Sequence, residues 1–253
     1  MSIAKTIHPE FKTMSSVVAL IPARSGSKEI KNKNVLKVDG FPLLAFSIKA
    51  ALLSKKIDRV IVSTDSLSYQ KIAIKFGADA PFLRPKNISG DGSTDYEFIK
   101  HALDWFSTEK LATPSYIVHL RPTTPFRDPK LIDKAIKDFS DNKRATALRS
   151  VHAMSESAYK CFHVKNKHLK CVGSLSSDVE KINNRRQSFS KTYHANGYVD
   201  VLKTSYILKH KKLHGNKVMA FITPVVTEID TREDLKYLEY EVSQNPKLVS
   251  KLF

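Results

Sequence analysis

Five apolar residues, Val17-Val-Ala-Leu-Ile21, stopped at once by Pro22 and followed by a polar, lysine-rich stretch, constrain this chain more than any other feature. Such a run is too short for a stable helix and long enough to cross a sheet, so it reads as a strand buried on both faces. Helical spacing then takes over in Leu44, Ile48, Ala51 and Leu52, before a second strand-like run, Arg59-Val-Ile-Val-Ser63. The alternation continues. Tyr69, Ile72, Ala73 and Phe76 mark a helix face closed by Gly77, and Thr94 with Glu97 forms a capping-box pattern ahead of Phe98, Ile99, Ala102, Leu103 and Phe106. Tyr116 to Leu120 reads as a further strand, and Asp128-Pro129 opens a helix carrying Leu131, Ile132, Ala135, Ile136 and Phe139. Strand and helix in strict alternation predict a doubly wound α/β fold, a mostly parallel open sheet with helices on both faces.

From about Ser150 to His194 the pattern breaks into short strand-like pieces, such as Cys161 to Val164 and His168 to Val172 around Asn166-Lys167. We read 150–194 as an arm inserted into one domain spanning 17–253. Gly197 to Leu202 and Val218 to Ile222 return to strand character, and Thr231 with Asp234 caps a last helix bearing Leu235, Leu238 and Val242. Residues 1–16 read as a loose tail without the long apolar stretch of a signal peptide or membrane span, so a cytoplasmic protein with no membrane association is expected. Cys161 and Cys171, the only cysteines, are too few for a disulfide framework and read as free thiols; with His163 and His168 their spacing fits no common zinc finger.

The chain carries 42 Lys+Arg against 25 Asp+Glu, a formal charge of +17, and so attracts polyanions. A nucleoside triphosphate with an acidic sugar and a nucleic acid both answer to that description. No nucleic-acid-binding motif is present, and the excess is read as a solvated basic surface with no nucleic-acid partner.

Chemistry concentrates in Ile21-Pro-Ala-Arg-Ser-Gly-Ser-Lys-Glu-Ile-Lys-Asn-Lys-Asn34, directly after the first strand. Ligands of open α/β sheets bind at the carboxyl ends of strands. Gly26 with Ser25 and Ser27 lets backbone N–H groups approach phosphate oxygens, and Arg24, Lys28 and Lys33 neutralise them. The Gly-Lys-Ser/Thr ending of a Walker loop is missing.

This segment resembles the N-terminal signature of the acylneuraminate cytidylyltransferases, the type that activates sialic and legionaminic acids, A-R-x-x-S-K-G-x-x-x-K-N. Ala23, Arg24, Ser27, Lys28, Lys33 and Asn34 match it, and Glu29 stands where Gly is usual. The resemblance implies a nucleotidyltransferase of GT-A-like, Rossmann-like architecture in which this loop binds CTP, with Arg24 and Lys28 on the phosphates and Lys33 and Asn34 near the α-phosphate and nucleotide. Further matches run in the family's order to about Leu235. Ser63-Thr-Asp65 resembles its V-S-T-D. Leu83-Arg84-Pro85 with Ser89, Asp91 and Ser93 resembles the stretch whose Arg and Ser hold the cytidine, which implies nucleotide contacts for Arg84, Ser89 and Ser93.

Leu120-Arg-Pro-Thr-Thr-Pro-Phe-Arg127 resembles L-Q-P-T-S-P-L-R, with Arg121 in place of Gln, and places Arg121 and Thr123 among sugar contacts. An Arg at that position can pair with a sugar carboxylate or signal a different sugar. Arg186-Gln187 and Asn196-Gly197 match the family's R-Q and N-G pairs, which touch the acidic sugar. Glu228-Ile-Asp230 stands where the family has D-I-D. Residues two apart on an extended segment share a side, so both carboxylates can converge on one hard cation, and the resemblance makes that cation Mg²⁺ on the triphosphate.

The expected reaction is attack by the anomeric hydroxyl of an acidic nine-carbon 2-keto-3-deoxy sugar on the α-phosphorus of CTP, with release of pyrophosphate. Arg24, Lys28 and Lys33 are the catalytic candidates, and no general base is assigned. The resemblance also implies a homodimer whose arm reaches the partner's site. Two alternatives are kept: a 3-deoxy-octulosonate cytidylyltransferase, and a non-catalytic nucleotide- or nucleic-acid-binding protein, which predicts salt-sensitive binding without pyrophosphate release.

Overall fold

Val18, Ala19, Leu20 and Ile21 are fully buried, and their strand has a partner on each side. The computed structural model describes residues 16–173 and 179–253, so the expected tail lies outside the described residues except for Ser16. In chain order the elements are β1 (Val17–Pro22), β2 (Lys37–Val38), β3 (Phe41–Pro42), α1 (Leu43–Leu52), β4 (Arg59–Ser63), α2 (Leu67–Lys75), α3 (Asp95–Thr108), β5 (Tyr116–His119), α4 (Pro129–Asp141), β6 (Ala147–Ala153), β7 (Phe162–Lys165), β8 (His168–Cys171), α5 (Val179–Ile182), β9 (Tyr193–Lys203), α6 (Thr204–His210), β10 (Val218–Ile222), α7 (Arg232–Gln244) and α8 (Lys247–Ser250).

Six strands form the main sheet in the order β10-β6-β9-β5-β1-β4. All run parallel except β9, which is antiparallel to both β5 and β6. Alternate residues of β1 feed two separate cores, as a strand covered on both faces requires. Val17, Ala19 and Ile21 pack with Leu44, Phe46 and Ile48 of α1 and Ile132, Ile136 and Phe139 of α4, while Val18 and Leu20 pack with Phe98, Ile99, Leu103 and Phe106 of α3.

Local chemistry places the ends. Asp128 accepts from the Lys130 amide at 2.9 Å and Pro129 follows it, so α4 starts where a missing N–H costs nothing. Gly77 takes φ +97 just after α2, a left-handed conformation that side chains resist. Asn166 and Lys167, at φ 52 and 64, turn the β7–β8 hairpin.

Two features differ from the sequence pattern. β6 is a central strand that the pattern did not single out, because Arg149 and His152 interrupt its apolar run. β9 begins at Tyr193 rather than Gly197 and pairs with β6 through His194 and Ala195, so the excursion from the sheet runs between Ala153 and Tyr193. No described helix is long and apolar enough to cross a membrane. Cys161 and Cys171 are free.

Candidate active site

The chain leaves β1 toward β4 on one side and leaves β5 toward β6 on the other. The connections therefore diverge outside the carboxyl ends of β1 and β5, where a doubly wound sheet opens a crevice. A cavity of about 360 Å³ lies there, lined by Pro22, Arg24, Ser27, Lys28, Glu29, Lys33, Asn34, Arg84, Asp91, Ser93, Thr94, Asp95, Phe98, Arg121, Pro122 and Thr123.

Its floor is the loop after β1, pinned at several points. The Ala23 amide donates to Ser63 O at 2.9 Å, tying the loop to the end of β4. Asp65, just past β4, accepts from the Ser25 amide and from Ser25 Oγ, both at 2.8 Å. Asn34, 7% exposed, donates its side-chain amide to Arg24 O at 3.0 Å and closes the loop on itself. These contacts hold Arg24 and Lys28 over the cavity, where both bind Asp91: Arg24 Nη1 to Oδ1 at 2.7 Å and Lys28 Nζ to Oδ2 at 2.8 Å. Hydrogen bonds from Lys28 and Arg24 hold the Asp91 carboxyl below its ordinary range.

Arg84 forms the β4 side of the wall. Its Nε and Nη2 reach Ser63 Oγ at 3.1 Å and Ser63 O at 2.7 Å, and its guanidinium lies 4.9 Å from the centre of the Phe98 ring. Burial lowers its pKa to about 10, which still leaves it charged at neutral pH. Lys33 stands at the far end and binds Asp230 Oδ1 at 2.9 Å, bridging 197 residues of sequence. The segment carrying Asp230 is fastened by the Ile229 amide on Thr123 O at 2.8 Å. The basic loop and the acidic segment before α7 thus meet at one cleft.

Nine of the sequence candidates share the cavity: Arg24, Ser27, Lys28, Lys33, Asn34, Arg84, Ser93, Arg121 and Thr123. Others lie elsewhere. Ser89 is buried and spends its hydroxyl on Pro85 O at 2.8 Å. Arg186 and Gln187 are exposed on a single turn in the arm, with Arg186 Nη2 on Met154 O at 2.9 Å. Asn196 is 3% exposed and donates Nδ2 to Thr223 Oγ1 at 2.9 Å, with its Oδ1 receiving the Tyr198 amide at 3.3 Å.

As for a cation, Glu228 Oε1 accepts the Gly197 amide, whereas the Asp230 side chain is 73% exposed and only its Oδ1 is engaged. Asp230 suits a hard ion better than the pair does. Among the described residues no three His, Cys, Asp or Glu gather for a metal, so an ion on Asp230 would draw its other ligands from phosphate oxygens and water.

Three residues of this region carried no functional signal in the sequence. Asp95 was legible only as a residue of the capped start of α3, His119 only as part of a strand, and Asp200 only as a lone acid in the apolar run of β9. His119 is 1% exposed, with Nδ1 3.9 Å from Asp95 Oδ2 and 4.0 Å from Asp200 Oδ2. Burial, reinforced by Arg121, lowers its pKa to about 3.

Comparison with known proteins agrees with this geometry. The family described as Cytidylyltransferase matches residues 18–245. An N-acylneuraminate cytidylyltransferase of Escherichia coli is 33% identical over 88% of this chain, which spans about half, 51%, of that relative. A pseudaminic acid cytidylyltransferase of Campylobacter jejuni is 27% identical over 87% of this chain and 93% of its own length. A CMP-N,N′-diacetyllegionaminic acid synthase of Legionella pneumophila is 28% identical over 86% and 92%. Among solved structures, a CMP:2-keto-3-deoxy-manno-octonic acid synthetase complexed with CTP superposes with a TM-score of 0.67 at 16% identity, covering 91% of this chain and 99% of that one, a likeness of fold. With the family's match running from β1 into the end of α7 and its loop chemistry gathered at the switch point of the sheet, the chain belongs to the cytidylyltransferase family of nucleotidyltransferases.

Proposed function

We propose that the protein joins CMP to an acidic nine-carbon 2-keto-3-deoxy sugar of the sialic, legionaminic or pseudaminic type. The observation that carries this reading is the Lys33–Asp230 contact at 2.9 Å on the rim of a cavity that also holds Arg24, Lys28 and Arg84. A mere anion-binding surface has no need of a carboxylate among its cations.

The cytidine stands on the β4 side, against Arg84 and Phe98, and the triphosphate lies along the loop after β1. Its β- and γ-phosphates replace Asp91 on Arg24 and Lys28, exchanging one carboxylate for several phosphate oxygens on the same donors. Lys33 lies beside the α-phosphorus. The anomeric oxygen of the sugar bonds to that phosphorus as the bond to pyrophosphate breaks, and the cations hold the charge that spreads over the phosphoryl oxygens. Mg²⁺, which Asp230 would hold together with phosphate oxygens and water, would supply charge neutralisation on the triphosphate. No covalent enzyme intermediate is required.

Two further parts belong to this reading. The β7–β8 hairpin carries Val164 at 74% and Leu169 at 53% exposure, apolar surface that supports a homodimer in which the arm is covered by a second copy. Arg186 and Gln187, exposed and outside the cavity of one chain, belong to the acceptor's surroundings in that assembly, whereas Asn196, buried and hydrogen-bonded to Thr223, supports the site from within.

Pyrophosphate release with CTP, Mg²⁺ and a panel of sialic, legionaminic, pseudaminic and octulosonic acids tests the proposal. Turnover with a nine-carbon acid is expected, and Lys33→Ala and Asp230→Asn each lower kcat by about 10²-fold. Salt-sensitive CTP binding with no pyrophosphate from any acceptor would overturn it.

A further inference from the structure

Arg121 sits in the cavity wall just past the end of β5, beside the middle of β9, and its charge is already answered from within the chain. Its Nη2 donates to Asp95 Oδ2 at 2.7 Å and its Nη1 to Asp200 Oδ2 at 3.3 Å. Asp200 is 1% exposed, and its Oδ1 takes no hydrogen bond from a described residue. Burial pushes the Asp200 carboxyl above the usual range. Burial opposes the charge of Arg121 as well, but Asp200 and then Asp95 outweigh it and raise the guanidinium pKa. The Arg121 side chain also crosses Gly197, where an added Cβ would stand 3.4 Å from its Cδ.

Asp95 and Asp200 on Arg121, with Arg149 Nε 3.9 Å from Asp200 Oδ1, leave this wall without a spare positive charge. Asp95 lines the cavity with its side chain 41% exposed, and its Oδ1 has no hydrogen-bond partner among the described residues. Along the cleft, Arg84 marks the end of β4, the loop after β1 the end of that strand, and Arg121, beside Asp200 of β9, the end of β5; Asp95 reaches Arg121 from the first turn of α3, one turn before Phe98. A ligand group beyond the α-phosphate from the nucleoside therefore meets this wall.

We propose that Asp95 is a specificity-determining residue, held in place by Arg121 that Asp200 positions from beneath, and that it accepts a hydrogen bond from a hydroxyl or amide N–H of the acceptor sugar. Arg121, with both its partners in the chain, does not take the sugar carboxylate. This rests on the function proposed above and names the group of that site which reads the acceptor.

The experiment measures KM for CTP and for each acceptor that the wild-type protein turns over, alongside thermal unfolding. Asp95→Asn raises the acceptor KM about tenfold or more and leaves that of CTP within about twofold, the signature of one lost charged hydrogen bond to the acceptor. Asp200→Asn acts in the same direction through Arg121. Arg121→Gln leaves the buried Asp200 with Arg149 at 3.9 Å as its nearest cation, and lowers the melting temperature. The neutral double variant Arg121→Gln/Asp200→Asn recovers the melting temperature but not the acceptor KM, which separates positioning from packing. An equal rise in the CTP KM assigns Asp95 to the nucleotide and overturns the proposal, as does a loss of stability with both KM values unchanged. A wild-type protein that releases no pyrophosphate with any acceptor sinks the underlying reading before any variant is compared.

Discussion

At the scale of single residues, Arg127 shows how little of a side chain's work is visible in its neighbours along the chain. It is 3% exposed, and its guanidinium donates to Tyr198 O and Arg121 O at 2.6 Å, Gly197 O at 2.7 Å, Ser47 Oγ at 2.9 Å and Thr124 O. Burial lowers its pKa to about 9, and it remains a cation that rivets the loop after β5 to the middle of β9. Lys cannot reproduce this fork. Arg127→Lys is expected to cost about 3 kcal/mol or more in urea unfolding, since several buried carbonyls lose their donors. A loss under about 1 kcal/mol would show that the fork is dispensable. The gathering of Arg24, Lys28 and Lys33 at one cavity was legible because cations clustered beside a glycine directly after a buried strand lie at the carboxyl end of the sheet. Asp95 and Asp200 were not, because a carboxylate's role here depends on a guanidinium 26 and 79 residues away from it.

At the scale of elements, the loop from Ala23 to Asn34 owes its shape to contacts outside itself. Asp65 takes two hydrogen bonds from Ser25, and Ser63 O takes the Ala23 amide. Asp65→Ala should therefore loosen the loop without unfolding the sheet, raising the KM for CTP about tenfold while the melting temperature changes little. A fall in kcat at unchanged KM would mean that the loop is held by other means. Short continuous apolar runs located β1, β4 and β10, and apolar recurrence near 3.6 behind a capping residue located α3 and α4. These patterns missed β6, because Arg149 spends its charge on the buried Asp200 side, a pairing that only the neighbouring strand makes intelligible. The reversal of β9 was equally hidden, since the direction of a strand leaves no mark on its side-chain alternation.

For the whole molecule, buried charge beneath the cavity sets a pH dependence. His119 in the unfolded chain takes a proton near pH 6.5, but in the fold only near 3, so between those values the unfolded state binds the additional proton. Stability contributed by the neutral ring is present above about 6.5 and is lost as the pH falls toward 3. His119→Gln removes this titration. Melting temperatures taken from about pH 7 to about pH 4 are expected to fall less steeply in the variant than in wild type, and parallel slopes would locate the acid sensitivity elsewhere.

The amino-acid sequence by itself determined the α/β class, the succession of strands and helices, and a cationic loop after the first strand, because hydrophobic period, capping residues and glycine act over a few neighbours. Which carboxylate meets which cation was decided only by the tertiary structure. Lys33 finds Asp230, and Arg121 finds Asp95 and Asp200, because the strand order brings distant segments to the same ends of the sheet. In a basic chain many such pairings are open on charge alone, and the register of buried strands selects among them.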